Sequence, residues 1–577
     1  MDDGGGVACA DSSCGIEGDL EPGEDGLVGQ WAGAVQWQFK RVIAVIEHCA
    51  AREFVREVFD HHRGAKRVFN ADAFLAGYLL TPMLGLPLHQ TKVAEVVRGW
   101  SDWQRGVLEL QTDVDVSYKS VNDALRRLMK ACRSPRYPEW DERRFAQALL
   151  DASLWCFPPT GAGALDSTDL STWARVRHRK PVVDADPDSP PPPDHPLAPP
   201  DPNHPHARRS GHHLLDAPVG ADGRYIYTVD IDARMGWRSP EFEETMFFCG
   251  FDLHVVTDVV SAPGQLPVVH VARSMNLSPA GSNKGLSGLP AVEALGDRIG
   301  KPRHLIADRA YNFVTDDKFA IPVWRLGYTT IYDLHPNQRG THPGPDGTHT
   351  IWIDGTLYSA SLPAGLEDLD PIDVDMKDEV RARTERRHQA RQAYAFVPHG
   401  ARRPDGSRRY RGPAVSPARV RCPNNPISMR APQSVATTSC PTGTACGCGR
   451  TITLDDSDYP DMRMPFQHGT LAWEASYHRR VGIESLFADL KKNRLGVHRG
   501  YFRGFGIRRY TLLAGFTLAA LNILNLHDWA TRREVLDSWG RFLGEPEPER
   551  RPRRRRRRST HSATRHATSL AATGPGR

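Results

Sequence analysis

The 577-residue sequence predicts an α/β protein: an all-α N-terminal region, then a mixed α/β sheet, with a β-rich insertion in its second half. Three observations predict it. Up to about residue 155, apolar residues recur at three- and four-residue steps, the period of helices packed on one side. From about 160 the apolar runs shorten to β-prone stretches, first in series and then alternating with a helical pattern. Residues 338–465 are rich in Gly, Pro and Arg before helical periodicity returns.

Residues 1–30 hold eight acids and no Lys or Arg, which predicts a disordered acidic tail. In the helical region 31–155, "ADAFLAGYLL", "TKVAEVVRGWSDWQRGVL" and "SVNDALRRLMKACR" read as helices. The last places Val121, Leu125, Leu128 and Met129 on one face, crowds Lys119, Arg126, Arg127, Lys130 and Arg133 onto the others, and offers Ser120 as N-cap. A basic helix after a turn suits a DNA major groove, which makes 31–155 a candidate DNA-binding domain. The plainer reading is a solvated helix face.

Strands are predicted at "GALDST" (163–168), "RYIYTVDID" (224–232), "FDLHVVTDVV" (251–260), "HLIAD" (304–308) and "YTTIYDL" (328–334), with a helix at "LPAVEALGDRIG" (289–300). These make 156–337 the first part of a sheet domain. Eleven prolines in 181–205 predict a semi-rigid extended loop within it. The insertion 338–465 offers only short strand candidates such as "THTIWIDGTLYSASL". Residues 466–544 return to the core through the helix "YHRRVGIESLFADLKK" and the apolar "YTLLAGFTLAALNILNL" (510–526). Thr511, Thr517, Asn522 and Asn525 interrupt that run, which falls short of the ~20 apolar residues of a membrane span, so it reads as a buried helix. Residues 545–577 form an Arg-rich tail, eight arginines in "RRPRRRRRR", drawn to polyanions. With no secretory signal and six scattered cysteines (Cys9, Cys14, Cys49, Cys132, Cys156, Cys249), a cytoplasmic protein without membrane segments is expected.

The chemistry lies in carboxylates. Asp166 closes one predicted strand, Asp308 another, and Glu484 sits on the helix near the end. Three convergent carboxylates are hard oxygen ligands, suited to two Mg²⁺ or Mn²⁺ ions that activate an in-line attack on a phosphodiester. Asp169, Asp230 and Asp232 compete for the first position, and Asp258 also ends a β-prone run. Tyr477, Arg480, Glu484 and Lys491 follow at steps of three, four and seven, one stripe of an ideal helix. That stripe reads as a phosphate-facing ridge in which Tyr477, Arg480 and Lys491 bind DNA.

A second cluster is sulfur. Cys422, Cys440, Cys446 and Cys448 fall within 27 residues beside Pro and Gly. They make a candidate structural Zn²⁺ site with the unusual spacing C-x17-C-x5-C-x-C; unligated thiols are the alternative.

The motif Y-x2-R-x3-E-x6-K is complete in Tyr477, Arg480, Glu484 and Lys491, and "LDST" and "IADRAYN" lie upstream in order. This set resembles the IS4-like group of bacterial DDE transposases over residues 160–530. The resemblance implies an RNase H-like catalytic core, with Asp166, Asp308 and Glu484 as catalytic residues holding two divalent metal ions. It implies cleavage at the ends of an insertion sequence and strand transfer into target DNA, by a homodimer assembled on double-stranded DNA in the nucleoid. The insertion between Asp308 and Glu484 resembles the group's largely β insertion. An RNase H-like nuclease that cuts without joining needs the same acids, and an inactive DNA-binding element product would use the basic segments alone.

Overall fold

The computed structural model describes residues 28–60, 69–111, 115–177, 217–238, 246–296, 304–312, 314–373, 375–455, 458 and 464–548. The proline-rich loop, most of the acidic tail and most of the arginine-rich tail lie outside these residues.

The N-terminal region is helical: α1 (Val28–Glu47), α2 (Ala51–Asp60), α3 (Ala71–Met83), α4 (Gln90–Arg98), α5 (Asp102–Val107), α6 (Tyr118–Ala131) and α7 (Glu142–Ser153). The single run expected over 91–108 is two helices. Ser101 starts the second by accepting from Gln104 N, while the Gln104 side chain accepts from Ser101 N, a reciprocal cap that stops the chain continuing as one rod. The N-cap of α6 is Ser117, not Ser120: its Oγ accepts from Ser120 N at 3.2 Å. Val121, Leu125 and Leu128 of α6 are buried, and Lys119, Arg126 and Lys130 are exposed.

The sheet is mixed. It contains β1 (Ala162–Ser171), β2 (Arg234–Arg238), β3 (Met246–Val259), β4 (Ala272–Pro279), β5 (His304–Ala307) and β6 (Thr329–Tyr332). Helix α8 (Lys284–Glu293) precedes β5; α9 (Arg309–Asn312) and α10 (Ala320–Arg325) connect β5 to β6. The order is β2-β3-β1-β5-β6, with β4 also paired to β3. β3 runs antiparallel to β1, β2 and β4, whereas β5 and β6 run parallel to β1. The strand expected at 224–232 does not form. There Thr228 Oγ1 accepts from Asp230 N at 3.0 Å and the buried Asp230 carboxylate accepts from Thr172 Oγ1 at 2.7 Å. Such local side-chain bonds satisfy a turn in place of a ladder, and the strand starts only at Arg234.

The insertion holds two three-stranded antiparallel sheets: β7 (Thr341–Pro343), β8 (Thr350–Ile353) and β9 (Thr356–Ser359), then β10 (Val397–His399), β11 (Arg408–Arg411) and β12 (Thr451–Leu454). Trp352, 1% exposed, packs with Leu357, Phe396, Ile452 and Leu454, residues drawn from both sheets. Between the sheets runs α11 (Asp378–Gln392), which the sequence reading missed. "DEVRARTERRHQARQ" has no apolar stripe, and only His388 and Arg391 are buried. Arg391 reaches Asp354 at 3.1 Å, an anchor that hydrophobic periodicity cannot show.

The chain returns through α12 (Leu471–Tyr477) and α13 (Val481–Ala488) to α14 (Ile507–Thr531), ending with α15 (Ser538–Phe542). α14 is long and apolar enough to cross a membrane by length and composition, yet 89% of its most apolar window is buried in the protein. α3 and α7 cover it on one side and β4 on another, so the helical region and the sheet share one core. The polar residue that interrupts its apolar run explains the fit. Asn522 accepts from Ala272 N at 2.7 Å and donates to Ala272 O at 2.9 Å and Ser153 Oγ at 3.0 Å, tying α14 to β4 and α7.

Candidate active site

Strand pairing sets the level of the acids. In the parallel ladder Leu165 of β1 faces Ala307 of β5, which faces Tyr332 of β6. The next residue in each case is an aspartate. Asp308 and Asp333 stand just past the ends of β5 and β6. Asp166, which was expected to close its strand, lies midway along β1, whose pairing with β3 runs on to Ser171. Asp166 Oδ1 accepts from Ser167 N at 2.7 Å, and Asp308 Oδ1 accepts from Arg309 N at 2.7 Å. The two are thus held alike by the backbone that follows, with one carboxylate oxygen left to face the site. Asp333 differs. It is taken by Arg339 at 3.1 Å and His468 at 3.4 Å, and these partners overcome burial to hold its carboxyl below the usual range.

α13 lies over this row. Gly482 lets it come close: a Cβ there would stand 2.8 Å from Val259 Cγ1 of β3. Ile483 and Leu486 bury the same side. Arg480, just before α13, spans two acids. Its Nη2 donates to Asp166 Oδ2 at 2.7 Å and its Nη1 to Glu484 Oε1 at 2.6 Å. Asp166 and Glu484, far apart in sequence, therefore meet on one guanidinium, and Asp308 is near enough to act electrostatically on Asp166 and Arg480. Burial pushes the Asp166 carboxyl up, against the Arg480 charge that lowers it. Burial also disfavours the Arg480 cation, but Asp166, with Tyr477, Asp308 and Glu484, outweighs it and raises its pKa. Arg480 Nε is buried and has no hydrogen-bond partner among the described residues.

The straight stripe expected from Tyr477 to Lys491 is not what forms. The chain tightens into a 3₁₀ turn over His478–Arg480 and widens into a π turn over Asp489–Asn493. Neither keeps the 100° step of an α-helix: Tyr477, Arg480 and Glu484 stay close, while Lys491 reaches a different acid. Tyr477 stacks on Trp473 with ring centroids 5.1 Å apart, and Trp473 is pinned by Nε1 donating to Tyr332 O at 2.9 Å. Lys491 Nζ reaches Asp169, donating to its carboxylate at 3.1 Å and to its carbonyl. Here Arg480 and Lys491 are both engaged by carboxylates of β1.

Sequence reasoning missed the polar support around the acids. Lys284, at the start of α8, donates to Ser167 Oγ at 2.6 Å and lies 3.4 Å from Asp252. Beneath, fully buried His254 bonds Tyr311 Oη at 2.8 Å and Ser278 Oγ at 3.2 Å, and burial drives its pKa well down. Tyr311 belongs to the "IADRAYN" segment, so a signal was present; nothing local marks Lys284 or His254. The competing acids have structural work. Asp230 accepts from Gly506 N at 3.0 Å and Asp232 from Ile507 N at 2.9 Å, so both hold the start of α14, while Asp258 pairs with Arg273 at 2.7 Å. In the insertion, Cys422, Cys440, Cys446 and Cys448 converge, their sulfur atoms all within 4.8 Å of one another.

Chemically, the sheet site offers carboxylate oxygens that already converge on one positive group. Such donors suit a hard divalent cation, and Asp166, Asp308 and Glu484 fit Mg²⁺ or Mn²⁺ in kind.

No protein-family model matches the chain, and no curated protein matches it. Among solved structures, the chain is similar to a piggyBac transposase in a synaptic complex with hairpin DNA, at 10% identity and a TM-score of 0.31, over 89% of this chain and 77% of that one. A likeness that loose decides neither fold nor function.

Proposed function

We propose that this chain is a DNA transposase of the DDE type, with an RNase H-like catalytic core, that cuts DNA at the ends of an insertion sequence and joins them to target DNA. The observation that carries this reading is the bridge from Arg480 to Asp166 and Glu484, with Asp308 at the same level on the neighbouring strand. The mixed sheet with helices packed on it, and an insertion between Asp308 and Glu484, support it. So does the complete Tyr477, Arg480, Glu484, Lys491 motif of the IS4-like group. Acids on a surface meant for DNA repel phosphate unless cations cover them, which favours catalysis over binding alone.

Asp166, Asp308 and Glu484 would hold Mg²⁺ or Mn²⁺. Bound, these ions supply Lewis-acid activation of water and stabilise the leaving oxygen. Carboxylates engaged by a cation no longer need Arg480, whose fork then suits a backbone phosphate beside the cut. Tyr477 and Lys491 extend that grip along the strand, and exposed Lys119, Arg126 and Lys130 of α6 add further phosphate contacts. Water attacks the phosphodiester at the element end, the P–O3′ bond breaks, and a 3′-hydroxyl is left. That hydroxyl attacks a second phosphodiester, forming one P–O3′ bond as the target's own P–O3′ bond breaks. Two ends must be cut together, so a homodimer on double-stranded DNA follows.

The test sequences the DNA on both sides of the gene and uses duplexes carrying the inverted repeats that the proposal expects there. Glu484→Ala and Asp308→Asn should abolish Mg²⁺-dependent nicking and leave gel-shift affinity largely intact. Nicking that persists in either variant removes the acids from the mechanism.

A further inference from the structure

We propose that Cys422, Cys440, Cys446 and Cys448 bind one structural Zn²⁺ that staples the insertion, independently of the chemistry at the sheet. The distances carry this. Cys422 Sγ lies 3.7 Å from Cys446 Sγ, and Cys440 Sγ lies 3.6 Å from Cys448 Sγ. A tetrahedron with Zn–S bonds of about 2.3 Å has S···S edges of about 3.8 Å. A disulfide would bring a pair to about 2.05 Å. All four are free thiols, and Cys422, Cys440 and Cys448 are buried.

The surroundings suit thiolates. Ser359 Oγ and Ser361 Oγ stand 3.2 Å and 2.9 Å from Cys448 Sγ, and Asn424 Nδ2 stands 3.8 Å from Cys446 Sγ. On a metal-bound thiolate these groups donate, fixing the ligands from outside. The knuckle itself needs glycine. A Cβ on Gly447, between the last two ligands, would meet His349 O at 2.6 Å, and one on Gly412 would meet Cys448 O at 2.5 Å.

The fold supplies the reason for a staple. Between β11 and β12, residues 412–450 contain one short 3₁₀ turn, Ser428–Arg430, and an isolated bridge between Arg421 and Thr437, with no helix or strand. Structureless stretches beyond about 12–15 residues are uncommon inside compact domains unless something fixes them. Here the thiols are themselves part of the small core formed with Ile353, Tyr358, Leu362 and Tyr394. Four protein ligands close the coordination shell, which assigns the metal to structure and not to catalysis.

The experiment is elemental analysis of the full chain purified without chelator, which should give about one zinc per molecule. Cobalt exchanged into the site should show thiolate-to-metal charge transfer with tetrahedral ligand-field bands. Cys440→Ser combined with Cys448→Ser should lose the metal, and Cys249→Ser, a buried cysteine far from the cluster in sequence, should keep it. If the double variant fails to fold, zinc content and the cobalt spectrum of the unaltered chain decide. A folded, metal-free chain with four titratable thiols overturns the proposal, as do Cys422–Cys446 and Cys440–Cys448 disulfides or a bound iron.

Discussion

The thiol cluster in the insertion and the carboxylate cluster on the sheet solve opposite problems. Protonated thiols are nearly neutral, so four can be buried side by side with spacing set by loops and glycine. Ionised carboxylates repel, and Asp166 and Glu484 meet only across a counter-charge. The chain provides one in cis: Arg480, at 2.7 Å from Asp166 and 2.6 Å from Glu484, occupies the role of a cation between acids. The thiol cluster is therefore closed on itself, whereas the carboxylates of Asp166 and Glu484 are bridged by a guanidinium. Under the two proposals above, that contrast separates a metal held for structure from ions bound for catalysis.

The largest expected effect breaks the hard site alone. Asp308→Asn should abolish Mg²⁺-dependent strand cleavage, as loss of a metal-holding carboxylate requires, with no change in zinc content. Loss of zinc in that variant would mean that the two regions are not independent. Next comes the soft site. Stripping the thiol-bound metal with a strong chelator should open residues 412–450 to protease while α14 stays protected, because a metal-stapled loop has little core of its own. Uniform digestion across the chain would contradict a local staple.

A smaller effect separates guard from ligand. Arg480→Ala leaves a half-buried carboxylate at Asp166 unpaired and should destabilise the protein by about 1–3 kcal/mol, read from thermal unfolding. Mg²⁺ should restore more of the melting temperature in this variant than it adds to the unaltered protein, since it replaces the missing charge. The same variant should lessen the salt dependence of DNA binding by a slope of about one if the guanidinium otherwise takes a phosphate. Equal Mg²⁺ stabilisation of both proteins would deny Arg480 the placeholder role. The smallest effect concerns approach. Gly482→Val puts side-chain atoms where even a Cβ alone would stand 2.8 Å from Val259 Cγ1, and should cost about 1–3 kcal/mol while lifting Glu484 away from Asp166.

Much of the site was legible because its parts are local. Apolar runs before an Asp mark parts of β1 and β5, which pair; Asp308 follows β5 directly, but Asp166 lies midway along β1 and does not close it. The cysteines were legible by density alone. What failed had tertiary causes. Asp333 follows β6 just as Asp308 follows β5, and only its partners Arg339 and His468 reveal a different task. Residues 224–232 carry strand-forming side chains, but Asp230 is drawn to Thr172 and Gly506, contacts absent from any local pattern. The helix of Tyr477, Arg480, Glu484 and Lys491 was right as a helical region and wrong as a straight stripe. With its 3₁₀ and π turns in place, Tyr477 stacks on Trp473 and Lys491 pairs with Asp169. α11 escaped because it is held by Arg391 and His388 and lacks an apolar face.

The most direct measurement is anomalous diffraction from crystals of the protein with a short element-end duplex and Mn²⁺. Density is expected among Asp166, Asp308 and Glu484, with Arg480 withdrawn from both acids and turned to a phosphate. Manganese absent from these carboxylates, with Arg480 still bridging Asp166 and Glu484 on bound DNA, would contradict it.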